Sequence, residues 1–270
     1  MGRILPTVRG LACALAAGVC AFAALAQAPQ VVDLPTRPGV TLRVLSLEPA
    51  TPSSVVVLIS GGAGQLDIAS NGYIRRDGNF LVRSRGLFAD RGHAVLVLDV
   101  PSDRRGPPFL GGDFRASADH AADLGAAIAW ARAKYGRKVW VVGTSRGTHS
   151  AATAATQLQG ERAPDGLVLT STILGHSRVG ESTAPPLTEM DLTGLAMPIL
   201  VVHHEQDPCG VCSPALLPEL MKHLPPGATL RTVSGGQSRG APCDAFSYHG
   251  FNGIEDRVVE DISAFIRSHP

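Results

Sequence analysis

The sequence predicts a doubly wound, mostly parallel α/β sheet in one domain, and two patterns carry that expectation. Strand-like apolar runs recur at residues 55–60, 94–100, 138–143, 166–172, 198–204 and 228–233, and helical patterns fall between them at 79–91, 116–135, 146–158, 214–224 and 254–268. The apolar runs are continuous rather than alternating, which is how strands read when helices cover both faces of a parallel sheet. Strand–helix alternation over most of the chain, with no internal repeat or low-complexity tract, completes the case.

Each element has its own warrant. In the last helix Ile254, Val258, Ile262, Phe265 and Ile266 recur at three- and four-residue steps, the stripe a helix lays on a sheet. Helix 116–135 carries Leu124, Ile128 and Tyr135 in the same way. A weaker pair at 31–34 and 41–47 reads as an antiparallel edge. Pro107-Pro108 and Ala184-Pro185-Pro186 are too short to serve as interdomain linkers and read as surface loops. Segment 175–197 is the place for a lid; its modest length disfavours a large cap and predicts a fairly open pocket without one.

The first residues stand apart from the fold. Arg3 and Arg9 precede an apolar run at 11–25 that closes on Ala26-Gln27-Ala28. Residues 1–28 therefore read as a signal peptide and residues 29–270 as the mature domain, exported to the periplasm or beyond. The run is shorter than the roughly 20 residues a membrane span needs, so no stable membrane insertion is expected after cleavage. A lipoprotein reading at Cys20 is weaker, because Val19 stands where a small residue is expected.

Charge narrows the partners. With 24 Lys+Arg against 23 Asp+Glu the chain is nearly neutral, which argues against nucleic acid, whose phosphates call for a concentrated basic surface. Arg75, Arg76, Arg83, Arg85 and Arg91 form a local basic stretch that reads as a solvated helix face, with a guide for an anionic substrate as the sharper alternative.

The strongest chemical signal is Val139-Trp140-Val141-Val142-Gly143-Thr144-Ser145-Arg146-Gly147, which sets Gly-x-Ser-x-Gly between an apolar strand and an Ala-rich helix. That context makes the motif specific, and Ser145 is the expected nucleophile. Its backbone must turn sharply at the strand end, and side chains at positions 143 and 147 would collide there. The following helix brings its N-terminal amides and positive dipole end to the place where negative charge develops in acyl transfer, with the Arg146 amide as the first oxyanion donor. Ala151, Ala152, Ala154 and Ala155 let this helix lie close to the sheet.

With this elbow the sequence resembles the α/β-hydrolase superfamily, in the manner of serine esterases and dienelactone hydrolases, over nearly all of the mature chain. The resemblance implies the chain order nucleophile, acid, histidine. Asp207 fits the acid, following the apolar run 198–204 in a short polar turn, with Glu205 as its nearest rival. His249 fits the base, in the loop after the last strand and before the final helix. An imidazole titrates near neutrality, so it takes the serine proton and returns it to the leaving group. His149, His203 and His204 read as structural.

The same resemblance puts the second oxyanion donor in Ser60-Gly61-Gly62-Ala63-Gly64-Gln65, where Ser60-Gly61 stands in place of the His-Gly of many relatives. Gly62 is the expected amide and Ala63 the alternative. A phosphate loop is a poor rival, because Gly-x-x-x-x-Gly-Lys is absent. The expected reaction is hydrolysis of a small ester or lactone through an acyl-enzyme, on a small-molecule substrate and without a cofactor or metal.

Of five cysteines, Cys13 and Cys20 leave with the signal; Cys209, Cys212 and Cys243 stay. An oxidising compartment favours one disulfide among them. Cys209 with Cys243 would tie the acid loop to the base loop, Cys212 with Cys243 is the next pairing, and a zinc site with His249 is conceivable but would consume the base.

Overall fold

The computed structural model describes residues 1–2, 28–176 and 184–270, so the expected signal peptide at 1–28 lies almost wholly outside the described residues. Among them an eight-stranded sheet runs in the order β1-β2-β4-β3-β5-β6-β7-β8. Its strands are β1 (Gln30–Arg37), β2 (Val40–Leu47), β3 (Ser54–Ile59), β4 (His93–Pro101), β5 (Val139–Thr144), β6 (Gly166–Thr170), β7 (Ile199–His204) and β8 (Thr229–Val233). The helices are α1 (Phe80–Arg83), α2 (Arg85–Asp90), α3 (Gly112–Arg115), α4 (Ala118–Tyr135), α5 (Gly147–Gln157), α6 (Leu217–Lys222) and α7 (Glu255–Arg267).

The expected doubly wound sheet is present. β3 to β8 pair in parallel, while β1 and β2 form the antiparallel edge and join through Pro38-Gly39. Gly39 has φ 71°, the left-handed conformation that the third residue of a proline-led turn requires. Every residue of β3 to β7 is buried, which is why these strands read as unbroken apolar runs.

Alternation sorts the side chains into two cores. Val55, Val57 and Ile59 pack with Leu124 and Ile128 of α4 and the alanines of α5. Val56 and Leu58 pack on the other face with Phe80, Phe88 and the α7 stripe Val258, Ile262 and Ile266.

Three expectations change. Helix 79–91 is two short helices, with Ser84 between them at φ -90°, ψ 1°, because Ser84 and Gly86 are weak helix formers. Helix 214–224 begins as a 3-10 turn over Pro214–Leu216 before α6, since Pro214 and Pro218 cannot donate helical hydrogen bonds. β8 is the sheet edge and mostly exposed, so its sequence resembles the covered strands less than 228–233 suggested. The basic stretch is largely paired: Arg83 with Glu255, Arg91 with Asp256 and Glu260, and Arg76 with Asp67.

Two buried histidines make stability depend on acid. His93 Nδ1 faces Ser54 Oγ at 2.7 Å and His120 Nε2 faces Ser150 Oγ at 2.8 Å. Burial holds His93 down to about 4 and His120 to about 3, aided by nearby arginines. Unfolded, both titrate near 6.5, so from about pH 6.5 down to about 3 the unfolded chain binds more protons, and the unfolding free energy falls as pH drops through that window. The urea midpoint is expected to fall steadily between pH 7 and pH 4, and His93→Gln to flatten some of the slope; equal midpoints at the two pH values would contradict this.

Candidate active site

The site is assembled by strand order. β3 and β5 are neighbours with Ile59 opposite Gly143, so the loop after β3 and the turn after β5 emerge side by side at the carboxyl edge of the sheet. This is where the strand order reverses across the sheet, the usual crevice in doubly wound folds.

Ser145 sits at φ 52°, a strained conformation for a residue with a side chain, and its amide donates to Thr170 O at 3.0 Å. Thr148 Oγ1 donates to Ser145 O at 2.6 Å, fixing the turn from the α5 side. Glycine is required at both flanks. A Cβ on Gly143 would lie 2.5 Å from Gly147 O, and one on Gly147 2.3 Å from Ile59 O. Gly61 is pressed as closely against the elbow, since a Cβ there would lie 2.8 Å from Ser145 Cβ.

Asp207 and His249 come together as the chain order implied. β7 ends at His204, and Asp207 turns back with its amide donating to His204 O at 3.1 Å. Its Oδ2 lies 2.9 Å from His249 Nδ1 and its Oδ1 accepts from the Cys209 amide at 2.9 Å. Burial pushes the Asp207 carboxyl up, but the hydrogen bonds from His203, His249 and the Cys209 amide outweigh it and hold the group below the ordinary carboxylate range. An ionised Asp207 fixes the proton on His249 Nδ1 and leaves Nε2 as the acceptor. Glu205, the rival acid, points away, within 3.3 Å of Thr232 Oγ1.

Ser145 and His249 line one cleft of about 340 Å³ together with the 60–66 loop, Arg76, Asn79, Phe80, Cys243 and Asp244. No direct hydrogen bond joins the hydroxyl to the ring among the described residues, and such contacts commonly tighten only when substrate is bound. Among the described residues no protein acceptor takes the Gly62 or Ala63 amide. Arg146 stands at the N-terminal end of α5, next to Ser145.

Cys209 and Cys243 form the expected disulfide, and Cys212 is the free, buried thiol. His149 is held by Pro185 O at 2.9 Å, and His204 stacks on Tyr248 with ring centroids 4.4 Å apart. His203 is closer to the chemistry than its place in a strand suggested. Its Nε2 donates to Cys212 O at 2.8 Å and lies 3.4 Å from Asp207 Oδ2, so it backs the carboxylate.

Two supporting residues escaped the sequence reading. Arg115 is fully buried, with no carboxylate at ion-pair distance among the described residues. Its guanidinium donates to Ser60 O and Gly62 O at 3.2 Å each, to Leu110 O at 3.1 Å and to Ser150 Oγ at 2.8 Å. Burial, with Arg146 adding repulsion, pulls it down to about 9, which leaves it charged at neutral pH. Asp99, buried in the apolar β4, accepts from the Leu66 and Ile68 amides at 2.8 and 2.9 Å and shapes the far end of the same loop. A lone carboxylate in an apolar strand was a visible signal for Asp99; an arginine just before a helix gave none for Arg115.

In the segment proposed for a lid, Leu187 and Leu192 are buried and none of residues 184–197 lines the cleft, while residues 177–183 lie outside the described residues.

No protein-family profile and no curated protein sequence matches the chain. Solved structures do. A serine hydrolase without a lid from Xanthomonas campestris is 15% identical, with 89% of this chain and 96% of that chain covered at a TM-score of 0.54. A dienelactone hydrolase from Anabaena variabilis is 14% identical, with 90% and 99% covered at 0.62. An esterase from Pyrococcus furiosus is 14% identical, with 89% and 92% covered at 0.61. Sheet order, elbow and these likenesses agree: the chain has the α/β-hydrolase fold.

Proposed function

We propose that the protein is a serine hydrolase that cleaves small carboxylic esters or lactones through an acyl-enzyme. The observation that carries this reading is the Asp207–His249 pair at 2.9 Å, with His249 lining the cleft that also holds Ser145 at φ 52°. In the proposed cycle His249 Nε2 takes the Ser145 proton as Oγ attacks the carbonyl, and Asp207 stabilises the imidazolium. The amides of Gly62 and Arg146 receive the oxyanion, and the proton passes to the leaving alcohol. Water then repeats the sequence on the acyl-enzyme. No step calls for a cofactor or metal.

A cleft of about 340 Å³ suits a short acyl group better than a long chain. The fold neighbours named as esterases and a dienelactone hydrolase support the same bond class. Thioester or peptide cleavage would use the same groups, and a non-catalytic binding role would leave them idle.

A fluorophosphonate probe separates these readings. It is expected to label the intact protein once, at Ser145 by peptide mapping, and a panel of short acyl esters, lactones, thioesters and amides then ranks the bond. Absence of labelling, or labelling at another residue, would overturn the assignment. Export belongs to the same proposal. It fits the Cys209–Cys243 disulfide and the absence, among the described residues, of a helix long and apolar enough to cross a membrane. Cleavage after Ala28 gives a mature chain beginning at Pro29, which intact-mass measurement checks.

A further inference from the structure

Behind the cleft three cysteines and the candidate base share one corner. Cys209-Gly210-Val211-Cys212 closes on itself as a 3-10 turn, with the Cys212 amide donating to Cys209 O at 2.8 Å. The two sulfurs of this C-x-x-C turn and a ring nitrogen of His249 all lie within 4.8 Å of one another. Cys243 is bonded to Cys209, so its sulfur is at the same corner. Zinc(II) holds thiolates at about 2.3 Å and imidazole at about 2.0–2.1 Å, which puts its tetrahedral donors roughly 4 Å apart or less. The three groups, within 4.8 Å of one another, stand close to that spacing, and Cys243 is tied to Cys209. While the disulfide is closed, only one thiol and the imidazole remain, too few for a stable site.

We propose that reduction of the Cys209–Cys243 disulfide converts this corner into an inhibitory zinc(II) site with Cys209, Cys212, Cys243 and His249 as ligands. The chemistry balances in two steps. A phosphine and water cleave the S–S bond, giving two thiols and the phosphine oxide, so the two electrons come from phosphorus. Zinc then displaces the thiol protons to solvent with no further electron transfer. Cys243 is exposed and lines the cleft, so the disulfide is open to a small reductant. Asp207 stands behind the His249 ring, a carboxylate of the kind that supports a zinc-bound histidine. The protein is thus silent when reduced and zinc-loaded, and active once exchange with a small-molecule disulfide, which leaves as two thiols, re-forms Cys209–Cys243 and frees the zinc.

Metal binding is independent of the hydrolase reading; inhibition rests on it. The whole mature protein, reduced with a trialkylphosphine, is titrated with cobalt(II), then zinc. The reduced protein is expected to take up one cobalt with thiolate-to-cobalt charge-transfer absorption and the intense visible bands of a tetrahedral site. Zinc should bleach those bands and slow fluorophosphonate labelling, while the oxidised protein shows neither effect. Cys212→Ser should weaken zinc binding by about tenfold or more.

Cys243→Ser opens the disulfide without reductant and is expected to bind one zinc in the folded state, with near-UV circular dichroism reporting the fold. No thiolate absorption, or binding that Cys212→Ser leaves unchanged, overturns the site. Loss of the native dichroism in both the reduced protein and Cys243→Ser also overturns it, because the corner must persist folded. Thiolate binding with labelling undiminished overturns the inhibition and with it the role of His249, whereas no binding with normal labelling overturns the metal site alone.

Discussion

Ser145→Ala is expected to lower kcat/KM on a short acyl ester by on the order of 10⁵-fold while leaving the thermal midpoint nearly unchanged. The substitution removes one oxygen. The contacts that hold the elbow are backbone contacts, from the Ser145 amide to Thr170 O and from Thr148 Oγ1 to Ser145 O, and alanine keeps both. Groups that act as a unit lose little more once one is gone, so Ser145→Ala combined with His249→Ala should be scarcely slower than Ser145→Ala alone. Stopped-flow or single-turnover rates on the three proteins check this. A variant without the hydroxyl that keeps a tenth of the activity, or two losses that multiply, would place the chemistry elsewhere.

The regions of this protein legible in the sequence were those with a periodic or punctuated signature. β3 to β7 announced themselves because burial on both faces demands unbroken apolar runs, and α7 because one buried stripe demands three- and four-residue steps. The elbow was legible for a steric reason: only glycine fits where a Cβ would lie 2.5 Å or less from a carbonyl oxygen. Asp207 and His249 needed chain order as well, since nothing local distinguishes either from a loop residue.

What stayed hidden depends on contacts between distant segments. Arg115 reads as a solvated charge before a helix, and only the folded chain brings it under residues 60–62, more than fifty positions earlier. His203 reads as one of two strand histidines on opposite faces, and its value lies in Asp207 curling back across β7. The split of helix 79–91 lay within reach of propensity, at Ser84 and Gly86, but the amphipathic pattern outweighed it.

Arg115 supplies the other large effect. Its guanidinium fixes the carbonyls of Ser60 and Gly62, and in a trans peptide the next amide points opposite its preceding carbonyl. Pinning Gly62 O therefore sets the direction of the Ala63 N–H, and a turn from Gly61 O to the Gly64 amide, 3.1 Å, sets that of Gly62. In the proposed cycle Arg115 is a positioning residue that orients the Ala63 amide, the alternative donor beside Gly62, and a buried cation under that loop. Arg115→Met is expected to cost about 3–5 kcal/mol of stability, since it strands three carbonyls and leaves Ser150 Oγ with His120 alone. It should also slow kcat by about 10²-fold per folded molecule with KM little changed. Arg115→Lys keeps the charge but offers one point donor in place of a fork, so it should recover some of the rate and less of the stability. Urea titrations give the first quantity, and steady-state kinetics normalised to active sites titrated with fluorophosphonate give the second. If Arg115→Met loses stability but turns over at the wild-type rate per titrated site, the guanidinium holds the fold alone, and the oxyanion loop keeps its geometry without it.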